Sequence, residues 1–376
     1  MSGQVQGQIR GWCPGALRPM MSGDGLVLRI RPHAGRLLPE QVLALADLAE
    51  THGNGLIDLG SRAHLQLRGV TEAALPALHQ ALISLDLLDF SAEAEARRNI
   101  LTTPLHRAGD ETLTLVEGLE EALRDAPVLP AKFGFAVDTG AAAILGGASA
   151  DLRIERAAQG LILRAEGMDR GEPVTQDTAI PRLIEVLHWF LAQGAATRMA
   201  RLAARPPLNA TELPMTGPAL VPGRTAAGLC LALPFGQIGA AKLRALAVAP
   251  LRLTPWRSVI VEGITRAPVT GLIEDPHDPL LRVAACTGAP GCLSAEAPVR
   301  GLARSLAPLV PAGALLHVSG CGKGCAHPRP ARLTLTARQG RFDLIEDGTA
   351  SASPALRGLS PDDLPAILRG RLDPSL

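Results

Sequence analysis

Cys286-Thr-Gly-Ala-Pro-Gly-Cys292 and Ser319-Gly320-Cys321-Gly-Lys-Gly-Cys325 are the stretches on which the reading of this chain turns. They space four thiols as C-x5-C and C-x3-C, 28 residues apart, on loops made almost wholly of small residues. Four thiolates on such loops can hold a cubane of iron and sulfide, and glycines let backbone N–H groups approach the sulfurs and tune the potential. Structural zinc prefers tighter knuckles, a spacing that C-x3-C meets and C-x5-C exceeds. Disulfides require an oxidising compartment, whereas the opening Met1-Ser-Gly-Gln-Val-Gln-Gly-Gln-Ile-Arg10 lacks the apolar core of a secretory leader. The expectation is an iron–sulfur cluster on Cys286, Cys292, Cys321 and Cys325, and with it electron transfer. Cys13 and Cys230 fall outside both loops and read as ordinary buried or loop thiols.

At 376 residues, 47% of them hydrophobic, the chain can build two or three packed domains. Its longest weakly polar stretch, Gly140 to Ala150, is too short to span a bilayer. A net charge of +1 offers no electrostatic attraction to nucleic acid or a membrane surface. With 2% aromatic residues and no tyrosine, base-stacking platforms are excluded as well. A soluble, cytoplasmic protein is expected. Lys132, Lys242 and Lys323 are the only lysines among 37 basic residues, so each draws attention by its rarity.

Outward from the cysteines, one pattern is written twice. Residues 25–31 alternate as a half-buried strand. Pro39 opens a helix whose apolar face carries Val42, Leu45, Ala46 and Ala49, with Gly53 at its C-cap. Strands over 56–59 and 64–68 flank Gly60-Ser61-Arg62-Ala63, and a second helix is expected over 75–88. Later, a strand from Gly228, a helix over 240–247 and a strand over 251–254 repeat that order. Val259-Ile-Val-Glu-Gly-Ile264 matches Leu65-Gln-Leu-Arg-Gly-Val70 down to the glycine. Five prolines between Arg205 and Gly228 mark a linker. Two halves follow, residues 10–205 and 228–376 joined by 206–227, with the cysteines wholly in the second.

These segments together resemble the nitrite/sulfite reductase family, whose members are duplicated proteins that seat a tetrapyrrole beside a 4Fe–4S cluster. The specific likeness lies in the two cysteine pairs, in Leu59-Gly-Ser-Arg62-Ala-His-Leu-Gln66, in Arg98-Asn99-Ile100 and in Leu129-Pro-Ala-Lys132-Phe133. It implies an α+β fold of two pseudo-symmetric halves, each with a ferredoxin-like half-domain and a larger α/β tetrapyrrole-binding domain. Arg10-Gly-Trp-Cys-Pro-Gly-Ala-Leu-Arg-Pro-Met20 and the stretch His317 to Pro328 are similar to an oxygen-dependent branch of that family. That branch implies hydroxylation of precorrin-3A in cobalamin biosynthesis, with the substrate in place of a permanent sirohaem. It further implies O2, an external electron donor and a mononuclear non-haem iron besides the cluster.

Two departures separate the chain from the reductases. Where they carry a second lysine two residues after Lys132, this chain has Gly134, which removes a cation that anion reduction needs. Where their second cysteine loop carries a Pro-Asn pair, it has Gly322-Lys323. Precorrin-3A is rich in carboxylates, which bidentate arginine suits, so Arg62, Arg98 and Lys132 are the expected substrate contacts, with Arg68, Arg97 and Arg257 behind them. Lys323 is expected to face either the reduced cluster or a substrate carboxylate. Ser294 to Leu306 reads as a helix whose N-terminus faces the cluster. Ligands for a mononuclear iron cannot be read: no H-x-D or H-E-x-x-H spacing occurs, and His64 and His327 are simply nearest the motifs. The alternatives are a sirohaem-dependent sulfite or nitrite reductase and a non-enzymatic electron carrier.

Overall fold

The computed structural model describes residues 14–194 and 198–372, which leaves Cys13 and the start of the Arg10 motif outside the described residues. The first half opens with β1 (Met20–Ser22), β2 (Gly25–Ile30), β3 (Arg36–Leu37), α1 (Pro39–His52), β4 (Leu56–Leu59), β5 (Leu65–Val70) and α2 (Leu75–Ser84). An α/β segment follows: α3 (Ala92–Arg97), β6 (Ile100–Thr102), α4 (Glu111–Arg124), β7 (Phe135–Asp138), β8 (Leu152–Ala157), β9 (Gly160–Ala165), β10 (Glu172–Val174) and α5 (Gln176–Ala192). The second half repeats the opening as β11 (Gly223–Thr225), β12 (Gly228–Ala232), β13 (Gln237–Gly239), α6 (Ala240–Ala245), β14 (Leu251–Leu253) and β15 (Ser258–Glu262). It then continues as β16 (Val283–Ala285), α7 (Arg300–Leu306), β17 (Leu316–Ser319), β18 (Ala331–Arg338), β19 (Arg341–Gly348), β20 (Leu356–Leu359) and α8 (Leu364–Leu372).

Among the described residues these strands form four five-stranded sheets, and their orders show the duplication. The two opening sheets run β1-β2-β5-β4-β13 and β11-β12-β15-β14-β3. Each half therefore lends one short strand to the other's sheet: β13 pairs antiparallel with β4, and β3 with β14. The two α/β sheets, β10-β9-β8-β7-β6 and β16-β17-β18-β19-β20, each begin with three parallel strands and finish antiparallel.

Backbone geometry repeats as closely as topology. Left-handed pairs precede both lent strands, Ala34 and Gly35 in one half and Phe235 and Gly236 in the other. Ala63 (φ 53°) and Arg257 (φ 58°) turn the two strand–loop–strand units, and Gly69 (φ 72°) and Gly263 (φ 68°) stand at matching places. The chemistry carried on that frame has diverged. Arg68 on β5 pairs with Asp58 on β4 at 3.2 Å, whereas Glu262 on β15 accepts from Arg252 on β14 at 2.8 Å, the same cross-strand pair with its charges exchanged. Each lent strand completes the pair it joins: Gln237 donates to Asp58 at 2.9 Å, and Arg36 donates to both oxygens of Glu262 at 2.7 and 3.0 Å.

The compact units cut the chain differently from its halves. One comprises residues 21–26 and 275–372; the other comprises 14–20 and 27–274. Strand exchange explains why the opening segments of both halves, apart from residues 21–26, fall in the larger unit. The proline-rich stretch after Arg205 is bound there too, through bridges Gly171 to Glu212, Ala157 to Pro214 and Ala143 to Thr216. Three of the six phenylalanines, Phe133, Phe135 and Phe190, pack into one core in that unit with centroids 4.7 and 5.4 Å apart. Gly53 does cap α1, but in an extended conformation. Glycine is needed there because a Cβ would sit 2.5 Å from the Arg68 carbonyl oxygen of β5.

Candidate functional site

In the smaller unit, the parallel strands β16 and β17 end side by side, with Ala285 in register with Val318. Cys286 leaves the first strand and Gly320-Cys321 the second, at the carboxyl ends where open α/β sheets bind ligands. The two loops touch. The Gly320 N–H donates to the Cys286 Sγ at 3.2 Å. A Cβ on Gly320 would lie 2.7 Å from the Ala295 Cβ, and one on Gly288, at φ 71°, would lie 2.8 Å from the Val299 side chain. Small residues are therefore required by close approach of the loops. The segment after Cys292 stitches them together: Ala295 N–H donates to the Cys292 carbonyl (3.0 Å), Glu296 N–H to that of Gly320 (2.8 Å) and Ala289 N–H to that of Ala297 (3.0 Å). Ser22, in the same unit, donates its hydroxyl to the Gly291 carbonyl at 2.7 Å.

Those bonds correct one expectation. The helix expected over 294–306 begins only at Arg300. Pro298 and the cross-loop bonds hold the preceding residues in turns, so no helix starts at the cysteines.

Burial raises the Cys321 thiol, and Cys292 and Cys286 add to the rise while Lys323 opposes it. Cys325 is exposed as a residue, yet atoms crowding its sulfur raise it first, followed by Cys321, Cys286 and Cys292. The Cys321 and Cys325 thiols thus each sense those of Cys286 and Cys292. Among the described residues no three His, Cys, Asp or Glu side chains converge as they would on a single ion. Cys286, Cys292, Cys321 and Cys325 are the side chains on these two loops that could hold a cofactor. Lys323 is exposed and donates to Ser294 Oγ at 2.9 Å across the loops. His317 is fully buried and meets the His327 ring edge-on at 5.9 Å.

The larger unit holds a separate basic cavity of about 290 Å³. Arg18, Arg29, Arg31, Arg62 and Arg97 line it, with Glu93 and Glu95 as its acids. Arg29 on β2 and Arg31, the first residue past its end, stand two apart and so fall on one side of the extended chain. Sequence reading named Arg62 and Arg97 but passed over Arg18, Arg29 and Arg31, although two arginines at a spacing of two in an apolar strand were the available signal. Arg62 also donates to the Lys132 carbonyl at 2.9 Å, and Arg97 donates to the Arg124 carbonyl at 2.9 Å and to that of Ala126.

Arg98 and Lys132 do not line this cavity. Arg98 is 8% exposed, and its fork closes on Asp89 at 2.8 and 2.9 Å while reaching the Arg31 carbonyl at 2.8 Å. It braces the wall from behind. Lys132 is exposed, Arg68 is spent on Asp58, and Arg257 serves the β14–β15 turn. His64 is 5% exposed, and burial, then Arg31, Arg29, Arg62 and Arg98, hold its imidazole neutral well below its usual range. Asn99 donates to the Phe133 carbonyl at 2.7 Å, passing directly over Gly134: a Cβ there would lie 2.5 Å from the Asn99 Nδ2.

Known proteins place this architecture. The profile of the nitrite/sulfite reductase ferredoxin-like half domain matches residues 18–85. A protein named precorrin-3B synthase from Sinorhizobium sp is 31% identical, over 94% of this chain and 86% of its own length. The chain belongs to the precorrin-3B synthase family. The solved structure of the Mycobacterium tuberculosis NirA protein superposes with a TM-score of 0.62 at 17% identity, covering 92% of this chain and 79% of its own. At that identity it speaks for the fold, the duplicated nitrite/sulfite reductase architecture, which the exchanged strands and matched sheets also display.

Proposed function

We propose that this chain is an oxidoreductase of aerobic cobalamin biosynthesis, an O2-dependent monooxygenase that hydroxylates precorrin-3A and closes a γ-lactone on it. The observation that carries this reading is near full-length similarity to a protein named precorrin-3B synthase. The arginine-walled cavity supports it, because a substrate rimmed with acetates and propionates needs several desolvated cations, and guanidinium forks bind carboxylates through two bonds. Arg18, Arg29, Arg62 and Arg97 would bind and orient the macrocycle's acid groups. Arg98 would brace Arg31, and Lys132 and Lys323 remain candidate contacts beyond the cavity. His64, neutral among these cations, can accept a hydrogen bond without adding to their repulsion.

Cys286, Cys292, Cys321 and Cys325 would hold a 4Fe–4S cluster, which when bound supplies single electrons from an external donor. Gly320 N–H, already directed at the Cys286 sulfur, would stabilise a thiolate there. A mononuclear non-haem iron belongs to the proposal by resemblance only; no residues are assigned to it, since no three ligand-type side chains among the described residues are placed for a single ion. Overall, one oxygen atom of O2 enters the macrocycle and the other leaves as water, taking two electrons and two protons. Among the described residues no helix is long and apolar enough to cross a membrane, and we place the enzyme in the cytoplasm.

Isotope labelling tests the reading. With labelled O2, precorrin-3A and an electron source, the new hydroxyl should carry the label. Oxygen arriving from labelled water would overturn the monooxygenase assignment and leave the cluster assignment standing. Sulfite or nitrite reduction with a strong artificial donor would favour the sirohaem-dependent alternative.

A further inference from the structure

One carboxylate in the basic cavity faces inward where a substrate carboxylate is expected. Glu95 is 4% exposed on α3, behind Ser91, whose hydroxyl accepts the Ala94 N–H at 3.1 Å as the N-cap. The carboxylate does two things at once. Its Oε1 accepts from Arg31 Nη1 and from the Ala16 N–H at 2.7 Å, while its Oε2 accepts the Leu17 N–H at 3.2 Å. Arg31, 7% exposed, is thereby neutralised by an internal acid, and the loop carrying Arg18 is tied to the same group. Gly15 completes the arrangement: any Cβ there would overlap the Glu95 carboxylate. The loop is anchored again where the Arg29 N–H donates to the Gly15 carbonyl at 3.3 Å and where the His79 imidazole meets the Ala16 carbonyl at 2.9 Å. Glu95 thus joins three parts of the cavity wall: the entry loop, the residue that follows strand β2, and helix α3.

We propose that Glu95 is a positioning residue that holds Arg31 and the Arg18 loop in register and, by occupying Arg31 itself, makes the cavity select a pattern of carboxylates over total negative charge. The proposal rests on the cavity being the substrate site. Without Glu95, Arg31 would lose its acid partner and the site would gain net positive charge and a looser wall, so any polyanion would gain from entering. A buried cation stripped of its partner is costly until a new anion arrives, and the ligand would supply that anion.

The probes are uroporphyrin and coproporphyrin, flat tetrapyrroles that carry eight and four carboxylates. Binding to the full chain is followed by quenching of porphyrin fluorescence and by the ligand-induced shift in melting temperature. Glu95→Gln keeps the size of the side chain and one acceptor for the loop N–H groups. It should bind both porphyrins more tightly than the parent, on the order of fivefold for one added desolvated charge, and should discriminate between them less. Its melting temperature without ligand should fall, and added porphyrin should raise it by more than in the parent. Equal weakening for both porphyrins would reduce Glu95 to a packing role and overturn the proposal. Arg62→Ala separates the two levels. If Arg62→Ala weakens binding while Glu95→Gln leaves it unchanged, the cavity reading stands and the Glu95 inference fails. If the parent protein binds neither porphyrin, both fail. Glu95→Asp, which keeps the charge but shortens the reach, should retain selectivity only in part.

Discussion

Replacing Gly134 by alanine puts a tight contact near the cavity to a quantitative test. Gly134 has an ordinary backbone conformation, so alanine is not refused by φ. The obstacle is Asn99: the added methyl would stand 2.5 Å from its Nδ2 and 3.2 Å from its carbonyl oxygen. That carbonyl cannot retreat freely, because it accepts the Phe135 N–H at 2.9 Å, and Gly134 N–H is itself held by Asp151 Oδ2 at 3.0 Å. The Asn99 amide must yield and release the buried Phe133 carbonyl that it meets at 2.7 Å. A buried bond left unmade costs about 1–3 kcal/mol, and overpacking adds about 1–3 kcal/mol, so Gly134→Ala should lose about 2–6 kcal/mol. Asn99→Ala alone should lose about 1–2 kcal/mol, since it orphans one carbonyl. The double variant should resemble Asn99→Ala, because the methyl then fills space the amide has left, so the coupling should be as large as the Gly134→Ala loss, at least about 2 kcal/mol. Urea unfolding of the full chain, read from midpoint and slope, measures all three. A Gly134→Ala protein within about 0.5 kcal/mol of the parent, or a double variant that loses the sum of the singles, would refute the reasoning. The same collision meets any lysine at 134, so the missing reductase cation is matched by the packing around it.

Cys286→Ser, Cys292→Ser, Cys321→Ser and Cys325→Ser should each lose cluster absorbance and labile sulfide, measured on anaerobically purified protein, whereas Cys230→Ser should keep both. Arg62→Ala should weaken tetrapyrrole binding by about 1.5–3 kcal/mol with cluster content unchanged. Arg98→Ala should instead cost about 3 kcal/mol of stability, because it strands the partly buried Asp89. Stability against pH should respond to two buried groups in opposite directions. Burial lowers His106 to about 4, so the unfolded chain takes up a proton first and stability falls as pH drops from about 6.5 to 4. Burial raises Asp138 to about 6, so the native state takes up the proton first and stability is lost as pH rises through that same region. Denaturation series from pH 4 to 7 should therefore show His106→Gln flattening the fall at low pH and Asp138→Asn steepening it; slopes moving together would refute the assignment.

The cysteine spacing, the doubled strand–helix order and the strand boundaries were legible in the chain because each rests on neighbours in sequence. Period-two alternation placed β2, and the strands expected over 56–59 and 64–68 fall within a residue or two of β4 and β5, while Pro39 marked the first turn of α1. Helix 294–306 was misread because the bonds that hold 292–297 in turns come from Gly320 and Ala289, and one of those lies across the gap between the loops. The exchange of β3 and β13 was equally invisible: two- and three-residue strands carry almost no pattern, and their pairing is decided by which sheet edge lies nearest. The basic cavity divides the same way. Motif likeness singled out Arg62, Arg98 and Lys132, but charge alone does not say which guanidinium is spent on an internal acid. Asp89 takes Arg98, Glu95 takes Arg31, and Asp58 takes Arg68, each from a different element of the fold. Sequence by itself determined the duplicated frame and the four thiols that share a loop pair. Tertiary structure alone decided which arginines are paired with an internal acid, because that depends on contacts between residues up to 64 positions apart, made only when the strands and helices close on one another.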